Sequence, residues 1–313
     1  MAPAADAVLA IDVGGTKLAA ASIDANGLLL SQARVMTPRT LDAEGLFEAV
    51  VQLARRVLAQ STRPATAIGV GCGGPMRYPD GVVSPLNIPA WRDFPLRERL
   101  ALSFGVPCAV DNDAKALVLG ERWQGAGRRA RNLLGMVIST GVGAGVVLDG
   151  RLLHGATGNA GHFGHLVVWP GGPRCGCGAR GCIEGIASGS GLVRRLAAAR
   201  VEGAPTDLPP GASAAEIASA ARAGDPLARD LYRTAGEAVG RGLASAAALL
   251  DLEQVVIGGS IGLYAWDLLG PPLETELRAS ARLDFTRDLA VARAELGEAA
   301  GLFGAARLAF DAA

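Results

Sequence analysis

The sequence predicts an α/β protein of two lobes around a cleft, and three observations carry that expectation. A strand, glycine turn, strand pattern at residues 9–23, LAIDVGGTKLAAASI, returns at 136–148 as MVISTGVGAGVVL; such a duplicated hairpin marks a repeated unit. Apolar strand-like runs alternate with helical patterns along the chain, the signature of α/β layers. At 313 residues the chain is long for one hydrophobic core and suits two units of roughly 150 residues.

Taken in order, the first hairpin is followed by a helical pattern over 43–60 and a strand over 67–71. A strand at 108–110 then runs straight into Asp111, Asn112 and Asp113, ahead of a segment with helical composition. The second hairpin follows at 136–148. A long helix is expected over 226–250, because Asp225 supplies a cap and Pro226 suits the first helical position. A third glycine-bearing segment, VVIGGSIG at 255–262, comes after it. Residues 201–212, rich in Pro and Gly, form the most disorder-prone loop.

Composition narrows the partners. Thirty basic residues balance thirty acidic ones with no basic block, which argues against nucleic acid. No apolar run approaches the roughly 20 residues that span a bilayer, and the longest candidate, 243–252, is too short. The opening MAPAADA lacks the basic region and apolar core of a signal peptide. The expectation is a cytoplasmic protein, with no membrane partner, that takes small, neutral or locally anionic ligands.

The acids at 111–113 sit where strand hands over to helix. Ligands of open α/β sheets bind at that edge, and a helix N-terminus there offers free N–H groups and partial positive charge. Asp and Asn are also ordinary helix caps, so the functional reading draws on the two hairpins. Glycine turns let several backbone N–H groups approach a phosphate without Cβ atoms in the way. Asp12, Gly14, Gly15, Thr16 and Lys17 add a carboxylate, a hydroxyl and an ammonium to the first turn. Thr140, Gly141, Val142, Gly143, Ala144 and Gly145 make up the second. Two such turns suggest a nucleotide held between lobes, with Asp12 holding Mg²⁺ through water. Residues 69–74 spell GxGxxG, but Pro75 follows and no helix opens there, so the dinucleotide reading lacks its context. No GxxxxGK[ST] occurs.

Of the five cysteines, Cys72 and Cys108 lie in apolar strands and read as core residues. Cys175, Cys177 and Cys182 cluster in a glycine-rich loop shortly after His165. Three Cys and one His make a closed tetrahedral structural zinc set. All three histidines, His154, His162 and His165, fall in this region. In GHFGH the last two would share one side of a helical segment, with Glu184 downstream as an acid facing the same ligand.

IDVGGTK, VDNDAK, STGVGAG, AGHFGH, CGCGARGCIE and GGSIG, in this order and spacing, resemble the ROK family of sugar kinases and sugar-responsive repressors. The resemblance runs from about residue 9 to 306. It implies a two-lobed actin-like (ribonuclease H-like) ATPase fold with ATP and Mg²⁺ in the cleft and a structural Zn²⁺. A small lobe would comprise 1–113 with a C-terminal helix at about 299–313, and a large lobe 114–298 would carry the zinc loop. It also implies transfer of phosphate to a sugar hydroxyl with Asp113 as general base. Gly258 and Gly259 match the family's adenosine-side glycines. Asn112, Asp113, His165 and Glu184 match sugar-gripping positions, and Asn87, in LNIPAW, matches another. His165 would bind zinc through one ring nitrogen and orient the sugar through the other. A homodimer is the family's common state. The family's repressors carry a DNA-binding domain before the first turn, and only eleven residues precede Asp12 here, so the enzyme is expected.

Two departures bear on the sugar. NDAN of the family reads NDAK, ending at Lys115, and the Glu of AGExGH is His162. Bacterial N-acetylmannosamine kinases of the family share AGHxGH and have GGSVGL where this chain has GGSIGL. The resemblance therefore implies phosphorylation of N-acetyl-D-mannosamine at its 6-hydroxyl, with glucose as the alternative acceptor. An imidazole at 162 can donate or accept where a carboxylate only accepts, and it is expected to suit the carbonyl and the bulk of an axial N-acetyl group.

Overall fold

The two hairpins open two sheets of the same design in the computed structural model, which describes residues 6–38 and 40–312. In the first, β1 (Ala7–Val13) pairs antiparallel with β2 (Lys17–Asp24), and β3 (Leu29–Met36) extends that edge. On its other side β1 runs parallel to β4 (Ala65–Cys72), which runs parallel to β8 (Cys108–Asn112). The second sheet repeats this with β9 (Leu133–Ile138), β10 (Val142–Leu148), β11 (Arg151–Leu152), β12 (Gln254–Gly258) and β13 (Ala290–Arg293). The spatial orders, β3-β2-β1-β4-β8 and β11-β10-β9-β12-β13, match strand for strand, directions included. A small sheet of β5 (Met76–Arg77), β6 (Val82–Val83) and β7 (Phe94–Pro95) lies between β4 and β8 in the chain.

The first sheet is covered on both faces, which is why β1 reads as an almost unbroken apolar run. Helix α1 (Ala43–Gln60), capped by Asp42 accepting from Gly45 N–H at 2.8 Å, buries Leu46, Phe47, Val50 and Val57 with Leu9 and Ile11. Helix α10 (Ala300–Ala312) covers the opposite face, where Leu302, Ala305 and Ala309 meet Val8 and Ala10. A short α2 (Leu96–Phe104) precedes β8.

Helix α3 (Asp113–Gln124) leaves the first sheet and packs on β9 and β10 of the second, while α10 leaves the second and packs on β1 and β4 of the first. The two helices cross tightly. A Cβ on Gly304 would lie 1.5 Å from the Ala116 carbonyl oxygen, so no other residue fits there without separating them. Fully buried Glu121 fastens the crossing: its carboxylate accepts from Ala126, Glu295 and Leu296 N–H groups at 2.9, 3.1 and 2.9 Å. The GxGxxG spelling also has a packing explanation, since a Cβ on Gly69 would meet the Ala305 oxygen at 1.7 Å. After β4 the chain enters β5, not a helix.

Around the second sheet lie α4 (Ile183–Ala187), α5 (Gly189–Val201), α6 (Ala214–Ala223), α7 (Pro226–Leu250), α8 (Gly259–Tyr264) and α9 (Trp266–Ser280). The Asp225 side chain caps α7 by accepting from Ala228 N–H at 2.8 Å, as its sequence implied. The Pro- and Gly-rich loop between α5 and α6 is tied down by Thr206, whose hydroxyl donates to Asp225 at 2.7 Å. Among the described residues no helix is long and apolar enough to cross a membrane.

Candidate active site

Strand register brings the acids together. Asp12 pairs with Gly71 and Gly71 with Asp111, so the carboxyl ends of β1, β4 and β8 form one edge. Asn112 caps α3, its side-chain oxygen accepting from Ala114 N–H at 3.0 Å. Asp113 follows as the first helical residue and also accepts from Ala114 N–H, at 2.8 Å. Its carboxylate reaches cleft solvent but is hemmed in by protein, and this desolvation raises its pKa above the ordinary aspartate value, against the opposing pull of backbone N–H groups. Asp12 is pushed up to about 6, by burial first and then by the charge of Asp113, with Lys17 acting the other way. Two like charges at one edge each disfavour ionisation of the other. A carboxyl held above its usual range is also a better proton acceptor near neutral pH.

The first turn closes through Gly14 N–H to the Lys17 carbonyl at 3.0 Å. Lys17 Nζ lies 3.1 Å from Glu298, a carboxylate shared with Arg34 at 2.9 Å, so this ammonium is held at the foot of α10. Asn87 sits against the turn: a Cβ on Gly15 would meet its carbonyl oxygen at 2.7 Å. A Cβ on Gly73 would meet the Asn87 amide at 3.2 Å, and one on Gly74 the Asn112 amide at 3.4 Å, which places both amides beside the same backbone. Arg92 braces the Asn87 loop by donating to the Pro85 and Ile88 carbonyls at 3.0 Å each.

The second turn is Ser139–Gly141, closed by Ser139 N–H to the Gly141 carbonyl at 2.9 Å. It leans on the start of α5, where Gly189 donates to the Ser139 carbonyl at 2.7 Å. Gly259 has φ +86° and a Cβ there would lie 2.5 Å from the Ile138 oxygen, so only glycine lets α8 begin this close. Ser139, Thr140, Ser190, Arg194, Ser260 and Ile261 line a cavity of about 460 Å³ beside Gly258 and Gly259. The sequence placed residues 140–145 together in a phosphate turn, and the structure divides them. Val142, Gly143, Ala144 and Gly145 belong to β10, where Gly143 would meet the Ala114 Cβ at 3.0 Å and Gly145 the Lys115 Cα at 2.8 Å. Missing side chains there let the Asp113 helix lie against the strand.

Glu184, in the first turn of α4, reaches back to that strand and accepts from Val142 N–H at 3.0 Å. Beside it, the ligand atoms of His165, Cys175, Cys177 and Cys182 lie within 4.8 Å of one another. The Cys177 and Cys182 sulfurs are 3.8 Å apart, and His165 Nδ1 is 3.9 Å from the Cys175 sulfur. Tetrahedral zinc with Zn–S bonds of about 2.3 Å needs S···S edges of about 3.8 Å, so this donor set fits the ion. None of the five cysteines is in a disulfide.

His162 precedes a 3₁₀ turn, Phe163–His165, and its ring lies 6.1 Å from that of His165 at an interplanar angle of 20°. Its Nδ1 donates to the Asn159 carbonyl at 2.8 Å. A carbonyl only accepts, so Nδ1 carries a proton and Nε2 is the ring nitrogen left for a ligand. His154, the third histidine, is elsewhere: its Nδ1 is 3.2 Å from buried Asp111. Sequence reasoning missed Tyr78, stacked on His154, and the serines at 190 and 260. Ser260 lay within the GGSIG motif, whereas nothing marked Tyr78.

A sheet repeated in order and direction, with acids at one strand edge facing glycine turns, defines the actin-like ATPase fold. The chain matches the ROK family over residues 8–312, and it belongs to that family. It is 37% identical over 307 residues to the N-acetylmannosamine kinase of Citrobacter koseri, covering 96% of this chain and 98% of that one. It is 36% identical over 311 residues to the glucokinase of Streptomyces coelicolor, covering 96% of each. Among solved structures, the ROK glucokinase of Streptomyces griseus in complex with glucose and AMPPNP superposes with a TM-score of 0.78 at 34% identity, over 97% of this chain and 99% of that one.

Proposed function

We propose that this chain is an ATP-dependent sugar kinase that phosphorylates the 6-hydroxyl of N-acetyl-D-mannosamine. ATP as donor is supported by membership of the family and by the likeness to a glucokinase that binds AMPPNP. The cavity beside Ser139 and Gly259 takes the adenosine side, and N–H groups of the two glycine turns face the phosphates. Asp113 accepts the proton of the sugar hydroxyl as its oxygen bonds to the γ-phosphorus and the bond to ADP breaks. Asn87, Asn112, His162, His165 and Glu184 orient the sugar, and positioning of this kind supplies much of the catalysis in phosphoryl transfer. Asp12 would hold Mg²⁺ through water, and the ion would supply charge neutralisation at the phosphates. His165 Nδ1 and the sulfurs of Cys175, Cys177 and Cys182 would hold a zinc ion, which would fix the loop presenting His165 and Glu184. The division of the chain into 1–113 with the C-terminal helix, and 114–298, belongs to the same proposal.

The observation that carries the choice of sugar is His162, an imidazole in AGHFGH beside His165. A carboxylate offers two acceptor oxygens to neighbouring hydroxyls, whereas this imidazole offers one remaining ring nitrogen, suited to a single contact with a 2-acetamido group. Glucose is the second reading, favoured by the near-equal identity to the Streptomyces coelicolor glucokinase. Competition kinetics with N-acetylmannosamine, N-acetylglucosamine and glucose separates them. The N-acetylmannosamine kcat/KM should be highest, and His162→Glu should move preference toward glucose. A preference for glucose that His162→Glu leaves unchanged refutes the assignment.

A further inference from the structure

Lys115 is 2% exposed, on the first turn of α3 two residues beyond Asp113. Its ammonium lies 3.4 Å from Asp111, which is fully buried, and donates to the Gly158 carbonyl at 2.6 Å. A buried ammonium is costly unless it is paired and hydrogen-bonded, and here its second partner is a loop carbonyl far along the chain. That loop, residues 155–162, ends at His162, and Asn159, whose carbonyl orients the His162 ring through Nδ1, follows Gly158 directly. The other end of the loop is His154, whose carbonyl accepts from Ala160 N–H at 2.9 Å. Burial holds the His154 imidazole below the ordinary histidine value, against the pull of Asp111. Tyr78, on the turn between β5 and β6, stacks on the His154 ring at 4.0 Å and 13°. Its Cβ occupies the space a side chain at Gly158 would need, 2.2 Å from a Cβ built there at φ +82°. The loop is therefore gripped from below by the helix of the catalytic acid and from above by a residue of the other lobe.

We propose that Lys115 is a positioning residue for sugar binding, latching the 155–162 loop to the Asp113 helix so that His162 is held at the sugar, with Tyr78 closing the same loop from across the cleft. The proposal rests on the chain being a sugar kinase, but not on which sugar it takes. The geometry explains an arrangement otherwise without a purpose: a lysine charge and its counter-ion placed beneath the site without touching the reacting atoms.

The test uses the full chain and the sugar that the unaltered enzyme phosphorylates best, with sugar and ATP varied separately and melting recorded for every variant. Asp111→Asn/Lys115→Met removes both charges and leaves no unpaired ion in the core. Its sugar KM should rise about tenfold or more, as a misplaced binding group allows, while ATP KM stays within about twofold. Tyr78→Ala alters only the rim and should raise sugar KM several-fold with the melting temperature unchanged. A folded double variant whose sugar and ATP constants both stay put, or move together, overturns the proposal. Should the double variant fail to fold, Tyr78→Ala decides, and an unchanged sugar KM in it overturns the proposal. Absence of sugar phosphorylation by the unaltered enzyme would overturn the kinase reading and this inference with it, whereas a defect confined to the variants bears on the latch alone.

Discussion

Asp12→Asn should make the ligand-free protein more stable while disabling it. Burial and the Asp113 charge raise Asp12 from 3.8 to about 6, and at about 1.4 kcal/mol per pKa unit that is about 3 kcal/mol of unfavourable charge. Partial opening to solvent reduces this to roughly 2 kcal/mol. Below pH 3.8 the group is protonated folded and unfolded alike and the penalty is absent; it builds as pH rises toward 6 and is complete above that. Unfolding entropy of about 2.1 cal/mol/K per residue over 313 residues converts roughly 2 kcal/mol into about 3 °C. Melting curves of the two proteins without nucleotide or Mg²⁺ should therefore coincide near pH 4 and separate by about 3 °C at pH 8, the variant melting higher. Equal melting at pH 8, or a gap that ignores pH, would refute the idea that Asp12 is held as a buried, unfavourable charge beside Asp113.

Two further outcomes follow from the packing and the thiol cluster. Metal analysis should find one zinc per chain, and Cys177→Ser should lose the metal and bind sugar more weakly; full activity in a metal-free preparation contradicts this. Gly304→Ala should cost at least about 1–3 kcal/mol, because its methyl group falls 1.5 Å from the Ala116 oxygen. Denaturant titration measures it, and an unchanged midpoint would mean that the α3 and α10 crossing is looser than described.

The parts of the fold with strong local signals were legible in the chain itself. Helix α1 and helix α7 carry their caps and periodicity in sequence, and both were expected over the residues they occupy. The repeated hairpins announced the duplication, although β11 and β13 are too short or too exposed to announce themselves. The small sheet β5–β7 depends on pairs of residues held by long-range contacts, with no periodicity to read. At the site, the Cys and His spacing foretold a cluster that the fold does assemble. Glycines were less readable: those at 141 and 259 serve turns or helix starts, whereas 143 and 145 make room for a helix, and spelling does not distinguish the two uses. The burial of Lys115 was not visible either, because the carbonyl it donates to, at Gly158, comes from a distant loop.

The central claim is phosphoryl transfer from ATP to a sugar 6-hydroxyl with Asp113 as base. Following the reaction with N-acetyl-D-mannosamine by ³¹P NMR tests it most directly, with Asp113→Asn run beside the unaltered enzyme and ATP binding checked by calorimetry. A 6-phosphomonoester should appear in step with ADP, and the variant should be slower by about two orders of magnitude or more with ATP still bound. A near-normal rate in Asp113→Asn, or ADP formed without any sugar phosphate, would contradict it.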